Sequence, residues 1–284
     1  MGFAARITVR HISNTSHSPL TGFQLVEAAM KVIVCVKHAI DEAELMADVN
    51  GKPKLQNAQT KMSVFDRNAV EEAIRIKETK GASIVVTSLG EDDAKKTVKE
   101  ALAMGVDRGF VIRCNPAELD TLGTSYYLAR AIQKEGADLI LCSEGSSDTY
   151  SGQVGPMVAE WLDIPFIGYA RRIEIKESGV RCEQVYEDRV EVSEAKFPVL
   201  ISVVSEINEP RYTTLLQIIQ ASKRQIEDIP LQNLKGSDAP QTQVNVIDVN
   251  VQTMNRKKIM FEGEIDEAAR KLIEALRTEQ VINT

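Results

Sequence analysis

Residues 138–162 read DLILCSEGSSDTYSGQVGPMVAEWL, and this stretch decides the fold class because it joins a strand, a loop and a helix. Asp138 to Cys142 has the apolar run of a buried strand, and the apolar residues from Val154 to Leu162 recur at helical spacing. The polar loop between them, Ser143 to Pro156, would present backbone N–H groups and the positive end of a helix dipole above the sheet. The stretch predicts either a phosphate site or an ordinary strand-to-helix connection without a ligand.

The chain between Met30 and this stretch alternates between apolar strands and helical patterns. Strands are predicted at 32–36, 83–88 and 110–112, and helices at 66–80, 92–104 and 119–134, with Asp66 as the cap of the first helix. Strands that are apolar throughout and separated by helices indicate an α/β fold with a parallel sheet covered by helices on both faces. Such sheets bind ligands at the carboxyl ends of their strands.

The pattern changes after Trp161, which is itself expected in the core. Strands at 166–175, 180–186, 189–192 and 199–204 predict an antiparallel extension of the sheet, and residues 214–223 predict a helix. Residues 230–284 are interpreted as a linker, an extended segment at 244–251 and a final helix at 265–276. We expect this arm either to contact another subunit or to pack on its own domain.

Two further segments flank the predicted domain, which spans residues 30–229. Residues 39–62 are too long for a simple turn and predict a small hairpin or a flap over the sheet edge. Residues 1–29 contain no acidic residue before Glu27, which is typical of an organellar transit peptide but also of an upstream start. We interpret them as a leader or upstream-start extension without structure.

Composition excludes several classes of function. The net charge of -7 argues against general nucleic-acid binding, and no apolar run is long enough to span a membrane. The four cysteines are widely spaced, which argues against a metal site and indicates a reducing, cytoplasmic location. The chain contains only three histidines, so we expect no histidine-based triad or metal site. Neither a GxGxxG fingerprint nor a Walker motif is present, so an ordinary dinucleotide-binding turn and a P-loop ATPase are not expected.

Four motifs together resemble one family. They are Val34–Lys37, Phe65-Asp66 with Ala69–Ala73, Ala101–Gly109, and Asn208–Tyr212 with Thr214-Leu215. In their order and length these motifs are similar to the small (beta) subunit of electron-transfer flavoproteins, from Met30 to about Ile229.

The resemblance implies a Rossmann-like fold and a heterodimer with a larger alpha subunit that holds an electron-carrying FAD. It also implies a second adenine nucleotide on this chain, which is structural AMP in the ordinary branch and a second, NADH-oxidising FAD in the electron-bifurcating branch. The implied redox partners are an acyl-CoA dehydrogenase, a quinone-side oxidoreductase and, in the bifurcating branch, ferredoxin. No catalytic acid or base is implied, because flavins perform the redox chemistry.

The resemblance also implies which residues contact the nucleotide and the partner. The nucleotide-contacting positions are Cys35, Ser63, Val64, Phe65, Asp66, Leu89, Ser143, Glu144, Gly145, Ser146, Asp148, Ser151, Gly152, Gln153 and Val154. Leu215 matches the leucine that enters an acyl-CoA dehydrogenase pocket, and Arg211 and Tyr212 flank it. Backbone groups near Cys35, Ser63 and Leu89 would hold adenine and ribose, and N–H groups from Ser151 to Val154 would face phosphate. Asp148 is interpreted as a cap of the loop rather than a ribose ligand.

The loop also carries the sequence difference between the two branches. Gln153–Pro156 resembles the bifurcating branch, whereas Thr149 and Tyr150 depart from its usual pattern. We therefore predict FAD, with AMP as the alternative. A stand-alone adenine-nucleotide-binding regulatory domain is the alternative of a different class.

Overall fold

A computed structural model describes residues 9–12, 29–41, 48, 52–54, 58–248 and 257–282. The chain forms two units, residues 1–46 with 54–248 and residues 47–53 with 249–284. The strands, all in the first unit, are β1 (Val9–Ile12), β2 (Lys31–Cys35), β3 (His38–Ile40), β4 (Thr60–Met62), β5 (Ser83–Gly90), β6 (Arg108–Arg113), β7 (Leu139–Ser143), β8 (Phe166–Ile175), β9 (Gly179–Val185), β10 (Val190–Lys196), β11 (Val199–Val203) and β12 (Glu227–Pro230). The helices are α1 (Val64–Lys80), α2 (Ala94–Met104), α3 (Thr121–Glu135), α4 (Val154–Leu162), α5 (Leu215–Ser222) and, in the second unit, α6 (Ile265–Thr278).

A ten-stranded sheet in the order β1-β10-β9-β8-β11-β7-β2-β5-β6-β12 forms the centre of the first unit. The strands from β8 through β11, β7, β2, β5 and β6 to β12 are parallel, whereas β8, β9 and β10 pair antiparallel. One core lies between the sheet and α1, α2 and α5, and the other lies between the sheet and α3 and α4. The predicted α/β class, the helices on both faces, the antiparallel extension and the C-terminal helix are therefore confirmed.

Two strands differ from the prediction. The strand predicted at 199–204 as part of the antiparallel extension is β11, which instead lies parallel between β7 and β8. All five of its residues are buried, which suits a central strand covered on both faces. The edge strand β12 was not predicted, because its sequence, EDIP, contains one aliphatic residue and a terminal proline.

The start of α1 also differs from the prediction. Ser63 occupies the cap position, and Asp66 lies inside the first turn of the helix. Asp66 is buried and its carboxylate contacts other elements, so the interpretation of Asp66 as the helix cap is wrong. The helix ends at Gly81, whose φ of 72 is left-handed and therefore favours glycine.

Several predicted segments have only part of their length in the described residues. β3 and β4 pair antiparallel at the two ends of the segment predicted as a hairpin or flap, most of whose interior lies outside those residues. The predicted extended segment at 244–251 is described only to 248, without regular structure. β1 lies inside the proposed leader and pairs parallel with β10. The boundaries at residues 29 and 229 stay predictions.

Candidate functional site at the carboxyl ends of β7, β2 and β5

Three adjacent strands bring the predicted nucleotide-contacting positions to one edge of the sheet. β2 pairs with β7 on one side and with β5 on the other, all parallel. Their carboxyl ends carry Cys35, Leu89 and Ser143, and the loop 144–153 leaves this edge to enter α4. Because α1 begins at Val64, near the same edge, the predicted positions from four segments come together here.

Asp66 connects three of these segments. Its Oδ2 accepts a hydrogen bond from the backbone N–H of Lys37 at 2.6 Å, and its Oδ1 accepts one from Ser143 Oγ at 2.5 Å. Burial raises the pKa of Asp66 to about 7, although the hydrogen bonds from Ser143 and Lys37 act in the opposite direction. The carboxyl group is therefore a buried junction between α1 and the ends of β2 and β7.

The side chain of Lys37 extends from β2 into the loop. Its Nζ lies 2.7 Å from Asp148 Oδ1, 3.3 Å from Ser146 Oγ and 3.2 Å from Thr149 Oγ1. Burial alone would raise the pKa of Asp148, but the hydrogen bond and charge of Lys37 reverse this and lower it. Asp148 therefore closes the loop through an ion pair with Lys37.

Backbone contacts fix the first half of the loop. The N–H of Ser147 donates to Ser63 Oγ at 3.1 Å, and the N–H of Ser63 donates to the carbonyl of Lys37 at 3.1 Å. The N–H of Glu144 donates to the carbonyl of Val203 at 3.0 Å, which ties the loop to β11. Burial raises the pKa of Glu144, although the phenol of Tyr150 donates a hydrogen bond to its carboxylate.

Tyr150 forms an aromatic wall of the loop that sequence reasoning did not assign to the site. Its ring packs edge-to-face against Phe65 with centroids 5.6 Å apart. A Cβ at Gly145 would lie 2.9 Å from the Tyr150 ring, so the ring rests on the open side of that glycine. Tyr150 has a φ of 44, a conformation that non-glycine residues rarely adopt. The only sign of this role in the sequence was that Tyr150 departs from the usual pattern of the bifurcating branch.

The second half of the loop leads into α4. Gly152 has a φ of 63, and Gln153 Oε1 accepts a hydrogen bond from Thr121 Oγ1 of α3 at 2.9 Å. Pro156 has no N–H, so Val154 and Gly155 carry the free backbone donors of the first helical turn. A Cβ at Gly155 would lie 2.9 Å from Cys142 Sγ, which explains the glycine by the close approach of α4 to β7.

Several buried polar atoms at this edge lack a partner among the described residues. They are Ser147 Oγ, Ser88 Oγ, Thr87 Oγ1 and His38 Nε2. Each lies within three residues of a predicted nucleotide-contacting position, and buried polar groups in native proteins are normally satisfied. Thr87 and Ser88 point to opposite faces of the sheet, and His38 Nδ1 lies 2.8 Å from Thr97 Oγ1 of α2. Of these atoms, only Ser147 Oγ therefore belongs to the loop itself.

The thiols at this edge are not suited to nucleophilic chemistry. Burial, with a contribution from Asp66, raises the pKa of Cys35 to about 12, and burial also raises the pKa of Cys142. The thiolate is the reactive form of cysteine, so both side chains serve as packing groups at neutral pH. In the part of the chain that the structure describes, no group of three or more histidine, cysteine, aspartate or glutamate side chains is arranged to hold a metal ion.

The predicted partner-binding residues lie in a different place. Tyr212 is 98% exposed and Leu215, the first residue of α5, is 73% exposed. Arg211, in contrast, pairs with Glu71 and Glu78 of α1. The expectation that Trp161 lies in the core is wrong, because it is 39% exposed, although its ring packs edge-to-face against Tyr126.

Comparison with known proteins identifies the family. A sequence model described as the electron transfer flavoprotein domain matches residues 54–234. The beta subunit of the electron transfer flavoprotein of Thermoanaerobacterium thermosaccharolyticum is 33% identical over 265 residues, which cover 89% of this chain and 100% of that protein. The corresponding subunits of Megasphaera elsdenii and Homo sapiens are 37% and 34% identical, over 74% and 71% of this chain and 82% of each relative.

Within the described residues, no helix is long and apolar enough to cross a bilayer. The resemblance first noted in the motifs is matched by the family model over residues 54–234, which include β5, β7 and the loop but not β2, and by relatives over most of their length. This chain belongs to the electron transfer flavoprotein beta subunit family.

Proposed function

We propose that this chain is the small subunit of a heterodimeric electron transfer flavoprotein and binds FAD at the β7–β2–β5 edge. The observation that carries the proposal is the meeting of the end of β2, the start of α1 and the loop 144–153 at one sheet edge, where Asp66, Lys37 and Ser63 join them through hydrogen bonds. Parallel sheets bind nucleotides at the carboxyl ends of their strands, and the start of α4 offers backbone N–H groups to phosphate.

The residues of the chain bind and orient the nucleotide in this proposal. Backbone groups beside Cys35, Ser63 and Leu89 hold adenine and ribose, and N–H groups from Ser151 to Val154 face the phosphates. Asp66 and Lys37 hold the loop in place through the contacts described above. The flavin supplies the redox chemistry, and the chain supplies its position and electrostatic environment.

Two features support FAD over AMP. Gln153–Pro156 resembles the loop of the bifurcating branch. The resemblance also implies an Asp-Asp-Asp run in the AMP-type loop, where this chain has Asp148, Thr149 and Tyr150 and therefore two acidic groups fewer. The remaining Asp148 is paired with Lys37 at 2.7 Å, so its negative charge is balanced. A pyrophosphate therefore meets less like-charge repulsion at this loop.

NADH is the proposed electron donor of the complex. Its electrons would be divided between a low-potential acceptor such as ferredoxin and a second acceptor, either an acyl-CoA dehydrogenase or a quinone-side oxidoreductase. The test is the flavin content of the heterodimer after co-expression with the large subunit. We expect two FAD per heterodimer and bleaching of the flavin absorbance by NADH.

One FAD with one AMP, and no bleaching by NADH, would contradict bifurcation. That result would support the second candidate, a non-bifurcating subunit with structural AMP that shuttles electrons from dehydrogenases to a quinone reductase. A stable, flavin-free monomer that does not bind a large subunit would instead support a stand-alone regulatory domain. The three outcomes are distinguished by the same purification and nucleotide analysis.

The exposed start of α5 is proposed to contact the dehydrogenase partner. Leu215 is 73% exposed and follows the fully accessible Tyr212, so an apolar anchor is presented to solvent. Leu215→Ala should raise the KM for the dehydrogenase at least tenfold and leave the flavin content unchanged. Leu216→Ala is the matched control, because Leu216 is a 64% exposed leucine on the same helix. Equal effects of both changes would remove the anchor role from Leu215.

A further inference from the structure

The guanidinium and the backbone N–H of Arg211 donate hydrogen bonds to carboxylates of the same chain. The guanidinium Nε and Nη2 donate to Glu71 Oε2 and Oε1 at 2.8 and 3.0 Å. Nη1 and Nη2 donate to Glu78 Oε1 and Oε2 at 2.7 and 3.1 Å. Four of the five guanidinium N–H donors are therefore used in two bidentate pairs, the geometry for which arginine is suited and lysine is not.

The backbone of Arg211 joins the same arrangement. Its N–H donates to Glu71 Oε2 at 3.1 Å, and the Glu71 side chain is only 5% exposed. Glu71 and Glu78 are two turns apart on α1 and thus lie on one face of this helix. Arg211 is therefore held to α1 by both its side chain and its main chain.

A second anchor lies three residues earlier. Asn208 Nδ2 donates to the carbonyl of Asn68 at 3.0 Å and to Glu72 Oε2 at 3.0 Å. Asn68 Nδ2 donates to the carbonyls of Asn208 and Ser205 at 2.8 and 3.0 Å. The backbone from Ser205 to Arg211 is thus attached to α1 at three points.

The segment that follows has few internal contacts of its own before α5 begins. Tyr212 is 98% exposed, and the next ordered contact is the capping box of Thr214 with Gln217, where Thr214 N–H donates to Gln217 Oε1 at 2.7 Å. The other end of α5 is held by Lys99, whose Nζ donates to the carbonyl of Ser222 at 2.9 Å. Arg211 is therefore the last fixed point of the chain before Leu215.

We propose that Arg211 is a positioning residue, which clamps the chain to α1 so that Tyr212 and Leu215 are presented in one place to the partner. It does not contact the partner, since four of its five guanidinium donors are used by Glu71 and Glu78. The partner-related half of this inference rests on the proposed function of Leu215. The clamp itself is a property of the free protein and is tested separately.

The test uses the heterodimer with Arg211→Lys, which keeps the charge but not the double bidentate geometry. We expect amide hydrogen exchange in peptides covering Arg211 to Ile218, in which the N–H groups of Arg211, Thr214 and Ile218 are hydrogen-bonded, to become about tenfold faster. The KM for the dehydrogenase should rise about tenfold at nearly constant kcat. The flavin content should not change. Arg75→Gln is the matched control, because Arg75 also lies beside Glu71, at 3.5 Å, but its ion-pair partners among the described residues are Glu71 and Glu72, both in α1.

Unchanged hydrogen exchange in Arg211→Lys would overturn the clamp, whatever the kinetics. A raised KM with unchanged exchange would mean that Arg211 touches the partner directly, which also overturns it. If Leu215→Ala leaves electron transfer unaltered, the anchor proposed for Leu215 fails, while the exchange measurement still decides the clamp.

A second variant covers the case in which Arg211→Lys does not fold. Glu78→Gln alters a half-exposed side chain and removes one of the two bidentate partners. It should speed exchange of the same peptides about threefold. Exchange equal to that of the wild type would contradict the clamp.

Discussion

The loop 144–153 and the segment 205–215 are both attached to α1, but they use charged groups in different ways. At the first turn of α1, the buried Asp66 accepts hydrogen bonds from Lys37 N–H and Ser143 Oγ, without a guanidinium partner. Along the following turns, Glu71 and Glu78 face Arg211 directly. The first carboxyl group is therefore held mainly by neutral donors, and the other two by a full positive charge.

This difference corresponds to the different roles that we propose for the two regions, nucleotide binding at the loop 144–153 and presentation of Leu215 by the segment 205–215. At the loop, Ser147 Oγ is buried and has no hydrogen-bond partner among the described residues. At the 205–215 segment, Asn208 and Arg211 attach the backbone to α1, and Tyr212 and Leu215 are exposed beside polar side chains such as Glu206 and Glu209. The loop proposed to bind the nucleotide and the segment proposed to contact the partner are thus attached to different residues of the same helix.

The largest expected effect concerns the titration of Asp66. Its folded pKa of about 7 lies above the ordinary aspartate pKa of 3.8, so the folded state holds this proton more tightly than the unfolded chain. The free energy of unfolding should therefore fall as pH rises from about 4 to about 7, by up to about 4 kcal/mol from this group. Asp66→Asn keeps the size of the side chain and should flatten this fall, as measured by urea unfolding at a series of pH values.

Other groups titrate in the same range, so the comparison is the difference between wild type and variant. The pKa of Glu72 is raised and that of His38 is lowered, in both cases first by burial, and both groups are present in both proteins. The charged neighbours of Asp66 are Lys37, which lowers its pKa, and Asp148, which raises it. Parallel curves for the two proteins would show that Asp66 does not bind its proton more tightly in the folded state.

An intermediate effect is expected at Glu71. At pH 8, Glu71→Gln leaves Arg211 opposite an amide group, and one N–H of that group meets the guanidinium. We expect a loss of about 2 kcal/mol in the free energy of unfolding, because the buried bidentate contact of Arg211 is lost and only the exposed pair with Glu78 remains to balance its charge. Asp66→Asn measured at the same pH should not destabilise the protein.

Glu78→Gln is the control for burial, because its side chain is 54% exposed while that of Glu71 is 5% exposed. Its effect should be clearly smaller than that of Glu71→Gln, since solvent screens exposed pairs. If the two glutamine variants lose equal stability, burial is not the reason for the strength of the Glu71 contact.

The smallest effect is expected at Lys37. Lys37→Met removes the ammonium group from Asp148, Ser146 and Thr149, and leaves the largely buried carboxylate of Asp148 without its cation. Because Lys37 is itself 43% exposed, we expect a loss of only about 1 kcal/mol in stability. The nucleotide proposed to bind at this loop should dissociate about tenfold faster in dilution experiments, because the loop is no longer closed.

Lys80→Met, at the exposed end of α1, is the matched control for loss of one positive charge. Equal nucleotide release from both variants would indicate a general charge effect. If Lys37→Met releases the nucleotide at the rate of the wild type, the ion pair with Asp148 does not contribute to nucleotide retention.

The sequence predicted the order of the elements better than their neighbours. The strand, loop and helix of residues 138–162 appear as β7, the loop and α4, and the carboxyl ends of β2, β5 and β7 meet as expected for a parallel sheet. The place of β11 between β7 and β8 was missed, because strand pairing depends on partners that are distant in the chain. The edge strand β12 has too little apolar pattern to be recognised.

Within the candidate site, residue positions were more predictable than side-chain roles. Asp66 was recognised as a site position but interpreted as a helix cap, whereas its contacts are with β2 and β7. Tyr150 was noted only as a departure from the family pattern, because nothing local indicates that its ring packs on Gly145 and Phe65. Arg211 was placed in the recognition motif, but its partners lie 133 and 140 residues away.

The sequence by itself determined the α/β class, the succession of strands and helices and the family, because hydrophobic periodicity and motif order are local properties of the chain. The tertiary structure decided which carboxyl group is buried without a full counter-charge, which is held by a guanidinium and which leucine is left exposed. These outcomes depend on burial and on contacts between distant segments, and they set the pKa of Asp66 and the attachment of Arg211.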